Sequence, residues 1–151
     1  MGNIILLTGE PRVGKSTAIK KFIQMIGIEN CTGFYTEEIC DDTGRAGFAC
    51  VSLDGERVRI ADVCFDSNIR MGRYGIDIDA FETFAMKIFG SLHNTKKIIV
   101  IDEIGPIQLL SSKFKQELVK LFNGPQCVVG TIFYKEHSEI DEIKDYLALR
   151  F

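Results

Sequence analysis

The stretch Thr8-Gly9-Glu10-Pro11-Arg12-Val13-Gly14-Lys15-Ser16-Thr17 sets two glycines five positions apart, a lysine beside the second, and two hydroxyls after it. The pattern G-x-x-x-x-G-K-[ST] between a strand and a helix suits a polyphosphate. Glycines permit backbone torsions and close approaches that side chains block, so the loop's N–H groups can converge on phosphate oxygens. The helix start that follows adds unpaired amides and a partial positive charge. Lys15 brings a full charge to the terminal phosphates, and the Ser16 hydroxyl supplies one position of a magnesium ion. Gly9, Glu10, Pro11, Arg12, Val13, Gly14, Lys15, Ser16 and Thr17 are therefore candidate nucleotide contacts, with Mg²⁺ as the implied cofactor.

A second constellation is Ile98-Ile99-Val100-Ile101-Asp102-Glu103-Ile104-Gly105. An apolar strand ending in a carboxylate delivers it to the crevice at the carboxyl edge of an open α/β sheet. Asp102 is thus the partner of Ser16 in holding magnesium, as a Walker-B aspartate does. Glu103, one residue on, is the candidate base that orients and deprotonates an attacking water, which points to hydrolysis of a nucleoside triphosphate. Two other uses of the same cradle stay open. One is a nucleotide or nucleic-acid kinase, with Arg59, Arg70 and Arg73 around the segment 62–79 clamping an acceptor phosphate; the other is a nucleotide-binding regulatory switch whose slow hydrolysis times a partner interaction. Charge developing on the γ-phosphate also calls for an arginine. Arg73, between Gly72 and Gly75, is the first nominee, and Arg70 the second. Arg12, inside the cradle, is a third that would act on a neighbouring subunit.

The elements around these residues are readable by period. Residues 3–8 are a continuous apolar run, expected of a strand covered on both faces. Ala18, Ile19, Phe22, Ile23 and Ile26 recur at helical spacing and Gly27 is a stop. Residues 33–39, 47–53 and 56–61, punctuated by Asp42-Thr43-Gly44 and Asp54-Gly55, read as antiparallel hairpins, the second one tight. Residues 62–79 have no clear period and read as a long loop. Asp79 and Glu82 have capping spacing ahead of a stripe of Phe81, Phe84, Ile88 and Leu92. Residues 97–102 and 127–133 are further strands. Ser111 or Ser112 caps a helix that stops at Asn123-Gly124-Pro125, and Ser138 to about Leu149 is helical.

At 151 residues, with 46% hydrophobic and 26% charged content, the chain is expected to form one domain, residues 1–151. No apolar run approaches the roughly 20 residues of a membrane span. The start lacks the basic and small-residue marks of a secretory signal, so a cytoplasmic location is expected. Cys31, Cys40, Cys50, Cys64 and Cys127 show no C-x-x-C pairing and are read as reduced packing residues; with His93 and His137 they do not make a zinc site. A formal charge of −3 gives no electrostatic reason for tight nucleic-acid binding, leaving only a local basic face for it. Oligomeric state is left open.

Residues 9–17, "GFYTEEI" with the turn and "RAGF" after it, "GRYGID", and "VIDEIGPIQLLSSKF" together resemble the small thermophile-type nucleoside-triphosphatase family, which includes the cancer-related nucleoside-triphosphatase. The resemblance spans most of residues 1–133. It implies an α/β P-loop NTPase fold: a three-layer sandwich on a mostly parallel sheet. An additional strand lies between the cradle strand and the Walker-B strand, and antiparallel hairpins are inserted at about 33–61. It also implies magnesium-dependent hydrolysis of several nucleoside triphosphates, with Lys15, Ser16, Asp102 and Glu103 matching the family pattern. Against that pattern the C-terminus is short: the sequence stops at "DYLALRF", where a further strand and final helix are expected.

Overall fold

The computed structural model describes residues 2–92 and 94–148; His93 and Leu149, the expected end of the last helix, lie outside the described residues. In chain order the elements are β1 (Ile4–Leu7), α1 (Lys15–Ile26), β2 (Cys31–Asp41), β3 (Gly44–Ser52), β4 (Arg57–Asp62), β5 (Arg70–Met71) and β6 (Tyr74–Ile76). There follow α2 (Ile78–Gly90), β7 (Ile98–Ile104), α3 (Ser112–Phe122), β8 (Val128–Ile132) and α4 (Ser138–Ala148). The strands form one sheet in the order β1-β8-β7-β2-β3-β4-β6-β5. β1, β8, β7 and β2 pair in parallel. From β2 onward every pairing is antiparallel. The expected additional strand is β8, between the cradle strand β1 and the Asp102 strand β7. The hairpins at 33–61 prolong the same sheet, so it is mixed, with parallel pairing confined to the half that carries the site.

Strand alternation decides which face each side chain meets. Val100 and Val129 pack with Ile19 and Ile23 of α1 on one face. Ile99, Ile101 and Val128 join Phe81 and Phe84 of α2, Phe114 and Leu118 of α3, and Ile140 of α4 on the other. Phe34 of β2 sits edge-on to Phe81, Phe84 and Phe114, at centroid distances of 6.0, 5.8 and 6.3 Å. These T-shaped contacts couple the sheet to two helices beyond what area burial supplies.

Two glycines let the strands beside β7 close in. A Cβ on Gly33 would stand 1.9 Å from the Val100 carbonyl oxygen, and one on Gly130 would stand 2.0 Å from that of Ile101. Any side chain there would push β2 or β8 off β7 just before Asp102.

Five local expectations change. β1 is the sheet edge and Ile5 is 56% exposed, so the strand is not covered on both faces. The tight hairpin is the first: Asp41 opposes Gly44 across Asp42-Thr43, with Asp41 accepting bonds from the Thr43 amide and hydroxyl, whereas residues 53–56 separate β3 from β4. Residues 62–79 hold a small hairpin, β5 and β6, too short for alternation to show in sequence. The α2 cap is Asp77, accepting from the Ala80 amide, not Asp79; Glu82 instead accepts from the Ser111 hydroxyl at the start of α3. Ser111 caps α3 through the Phe114 amide, as expected. On α1, Ile19 and Ile23 are buried but Ala18 is exposed. Cys31 and Cys50 are buried packing residues, and burial pushes the Cys50 thiol up to about 12; Cys40 and Cys64 are exposed.

Candidate active site

The glycine loop joins β1 to α1. Gly14, at φ 104°, occupies the helix N-cap in a left-handed conformation, and no side chain caps the helix start. The amides of the first turn are therefore left for an external acceptor. No acidic residue lies in that turn. Lys15 turns back along the loop: its ammonium donates to the carbonyls of Gly9 at 2.6 Å and Glu10 at 2.8 Å. This puts its charge at the mouth of the loop rather than along the helix.

Asp102 meets the loop from β7. By alternation it shares the α1 face with Val100, and it is only 5% exposed. The Ser16 hydroxyl donates to Asp102 Oδ2 at 2.9 Å, and the Thr131 hydroxyl of β8 donates to Oδ1 at 2.7 Å. Thr36 of β2 donates to the Asp102 carbonyl at 2.7 Å. Three elements thus fix one carboxylate, and a buried acid is tolerable here because its oxygens are bonded. A hydroxyl and a carboxylate facing each other are hard oxygen donors, the set magnesium takes with phosphate and water. Among the described residues no group of three or more His, Cys, Asp or Glu side chains gathers into a protein-only metal cage.

The β7–β8 register shifts between Ile101 and Ile104, and Asp102 and Glu103 lie inside that irregularity. Their peptide is cis. The register shift re-aims side chains, and Glu103 stands near both Asp102 and Lys15. Burial raises the Glu103 carboxyl above the ordinary carboxylate range; the Asp102 charge adds to the rise and Lys15 opposes it. A carboxyl raised this way is a better proton acceptor when ionised than a solvated one.

The arginines stand to one side. Arg12, at φ 64° and 79% exposed, pairs with Glu38 of β2 at 3.9 Å, and Arg45 of β3 takes the other oxygen of the same carboxylate at 2.7 Å. Arg73, in the β5–β6 turn, donates to the Arg45 carbonyl and lies over the Tyr74 ring; Arg70 donates to the Arg73 carbonyl at 2.6 Å. Arg59 pairs with Asp62 at 2.8 Å. Lys15, Ser16, Asp102 and Glu103 are brought together; among the described residues Arg73 reaches the cradle through Arg45, Glu38 and Arg12.

Residues 4–149 match the family described as NTPase. This chain belongs to that family. The NTPase is 38% identical to nucleoside-triphosphatase THEP1 of Thermotoga sp. (strain RQ2), over 93% of this chain and 80% of that protein. Its fold is similar to the crystal structure of THEP1 from Aquifex aeolicus, with a TM-score of 0.82 and 34% identity over 95% of this chain and 84% of that one. It is also similar to the solution structure of a human cancer-related nucleoside triphosphatase, with a TM-score of 0.78 and 30% identity over 96% and 85% of the two chains. These relatives agree with the P-loop fold expected from sequence. Within this NTPase, Thr36 and Thr131 bond to Asp102 and are absent from the candidates named from sequence. Thr131 carried a signal, as the sole hydroxyl in the apolar run 127–133. Thr36 carried none, since a threonine is ordinary in a strand.

Proposed function

We propose that this NTPase hydrolyses nucleoside triphosphates to the diphosphate and phosphate with Mg²⁺, using the groups gathered at the carboxyl edge of the parallel half. The loop amides and Lys15 hold the β- and γ-phosphates. Ser16 and Asp102 would hold the metal ion, with Thr131 keeping the Asp102 carboxylate in place. When bound, magnesium offsets charge on the phosphate oxygens. Glu103 accepts the proton of the attacking water as the new oxygen–phosphorus bond forms and the bond to the bridging oxygen breaks. Arg73 is our candidate for offsetting γ-phosphate charge, supported by its contact chain through Arg45 and Glu38 to the cradle. No described helix is long and apolar enough to cross a membrane. A cytoplasmic location is part of the same reading, supported by the five unpaired thiols.

The observation that carries the proposal is Asp102 bonded at one oxygen by Ser16, with half-buried Glu103 beside it. Phosphate release from ATP, GTP, CTP and UTP, with and without magnesium and with added nucleoside or 5′-hydroxyl acceptors, tests it. Release of inorganic phosphate unaffected by acceptors is the expected result. Label appearing on an acceptor, or binding without turnover, overturns it.

A further inference from the structure

Gln108, in the short turn after β7, is 3% exposed, yet its side chain makes no hydrogen bond within the described residues. The partnerless side-chain polar atoms that are fully sealed among those residues are Arg45 Nε and His137 Nδ1. The Gln108 amide is not one of them, so the little of Gln108 that remains accessible includes its amide end. A buried amide without a protein partner costs about 1–3 kcal/mol unless water or a ligand satisfies it.

The direction in which that amide points is set by Gly105. A Cβ at Gly105 would stand 2.9 Å from Gln108 Oε1 and 3.1 Å from Glu103 Oε1. Both oxygens converge on the space in front of one glycine. Gly105 does not have a positive φ. A left-handed torsion is therefore not what calls for glycine here; glycine leaves room for the two side-chain oxygens themselves.

We propose that Glu103 and Gln108 together hold the attacking water between the two oxygens that the absence of a side chain at Gly105 lets converge, with Glu103 as base and Gln108 as the orienting group. This rests on the hydrolytic reading above. In the step, the water donates one hydrogen to Glu103, which takes that proton, and the other to Gln108 Oε1. Its lone pair is thereby turned to the γ-phosphorus, and the nucleoside diphosphate leaves with the bridging oxygen. Two acceptors fix an orientation that a single carboxylate leaves free to rotate, and misplacing a reacting group by about 1 Å can cost about 10²-fold.

The test compares Gln108→Met, which keeps length and removes both polar atoms, with Gly105→Ala, whose Cβ would stand 2.9 Å from Gln108 Oε1 and 3.1 Å from Glu103 Oε1 and so displaces the two oxygens. Each is measured for phosphate release at saturating Mg-ATP, for affinity of a non-hydrolysable ATP analogue, and for thermal melting. We expect kcat to fall about 10–10²-fold in each, with analogue affinity within about twofold and Gln108→Met melting no lower than the parent. The double variant Glu103→Gln/Gln108→Met should lose less than the product of the single losses, since groups acting on one water are not additive. Should Gly105→Ala fail to fold, Gln108→Met decides alone. Wild-type kcat in Gln108→Met, or fully multiplicative losses in the double variant, overturns the assignment. If the single variant Glu103→Gln also keeps wild-type kcat, the hydrolytic reading itself falls, and the two failures are told apart.

Discussion

The two halves of the sheet use carboxylates in opposite ways. In the parallel half, Asp102 is 5% exposed and is held by hydroxyls from α1 and β8, and among the described residues no lysine or arginine pairs with it. In the antiparallel half, Glu37, Glu38 and Glu56 face solvent and pair with Arg57, Arg45 and Lys87. Neutral donors satisfy a buried carboxylate's oxygens without cancelling its charge, which leaves that charge available to a metal ion. A cation in contact would cancel it. The exposed pairs neutralise each other in high dielectric, where they contribute little to stability. Carboxylates thus face neutral hydroxyls in one half and cations in the other, and burial alone does not set the difference, since Asp62 of β4 is 4% exposed and still pairs with Arg59.

The largest expected effect tests the chemical half. Glu103→Gln keeps shape and loses basicity, so phosphate release should fall about 10²–10⁴-fold while analogue and magnesium binding persist. Turnover at the parent rate in this variant would make Glu103 a turn residue.

Next comes the core that joins the halves. Phe34→Ala removes the ring that meets Phe81, Phe84 and Phe114, and should cost about 3–5 kcal/mol in urea denaturation. The parent should unfold in one transition; two separated transitions would mean that the halves are independent units.

Thr131→Val is isosteric and leaves Asp102 Oδ1 without its donor. We expect magnesium affinity to drop about 10–100-fold in a titration followed by calorimetry, with Thr131→Ser restoring most of it. Equal affinity in valine and threonine forms would reduce Thr131 to packing.

The smallest effect belongs to the exposed half. Arg57→Ala breaks a pair whose side chains are 48% and 38% exposed, and the change in unfolding free energy at physiological salt should stay below about 1 kcal/mol. A larger loss would show that the exposed pairs carry stability and erase the contrast.

Most of the elements were legible because their signals are local. The cradle pattern with its strand and helix, the apolar run ending at Asp102, the Ser111 cap and the stripe of α2 all depend on neighbours within a few residues. What failed was also physical. Ile5 was read as covered because an apolar run looks the same in a central and an edge strand, and which strand lies beside β1 is not written in β1. Asp77 was passed over because Asp79 with Glu82 fits the capping spacing; Glu82 is drawn away by Ser111 on another helix. The hairpin β5–β6 has strands of two and three residues, below the length at which a period of two can be seen.

By itself the sequence determined which groups we propose to bind phosphate, hold a metal ion and accept a proton, because each such group is announced by residue type and by spacing along one short segment. Only the tertiary structure decided what surrounds them. Ser16 and Asp102 are 86 residues apart yet 2.9 Å in space, and Thr131 completes the carboxylate from a third segment. The close strand approaches at Gly33 and Gly130, the shared face set by strand alternation, and the convergence of Glu103 and Gln108 on Gly105 are properties of which strands and side chains lie side by side. That adjacency is chosen by packing of the whole chain, and no local pattern encodes it.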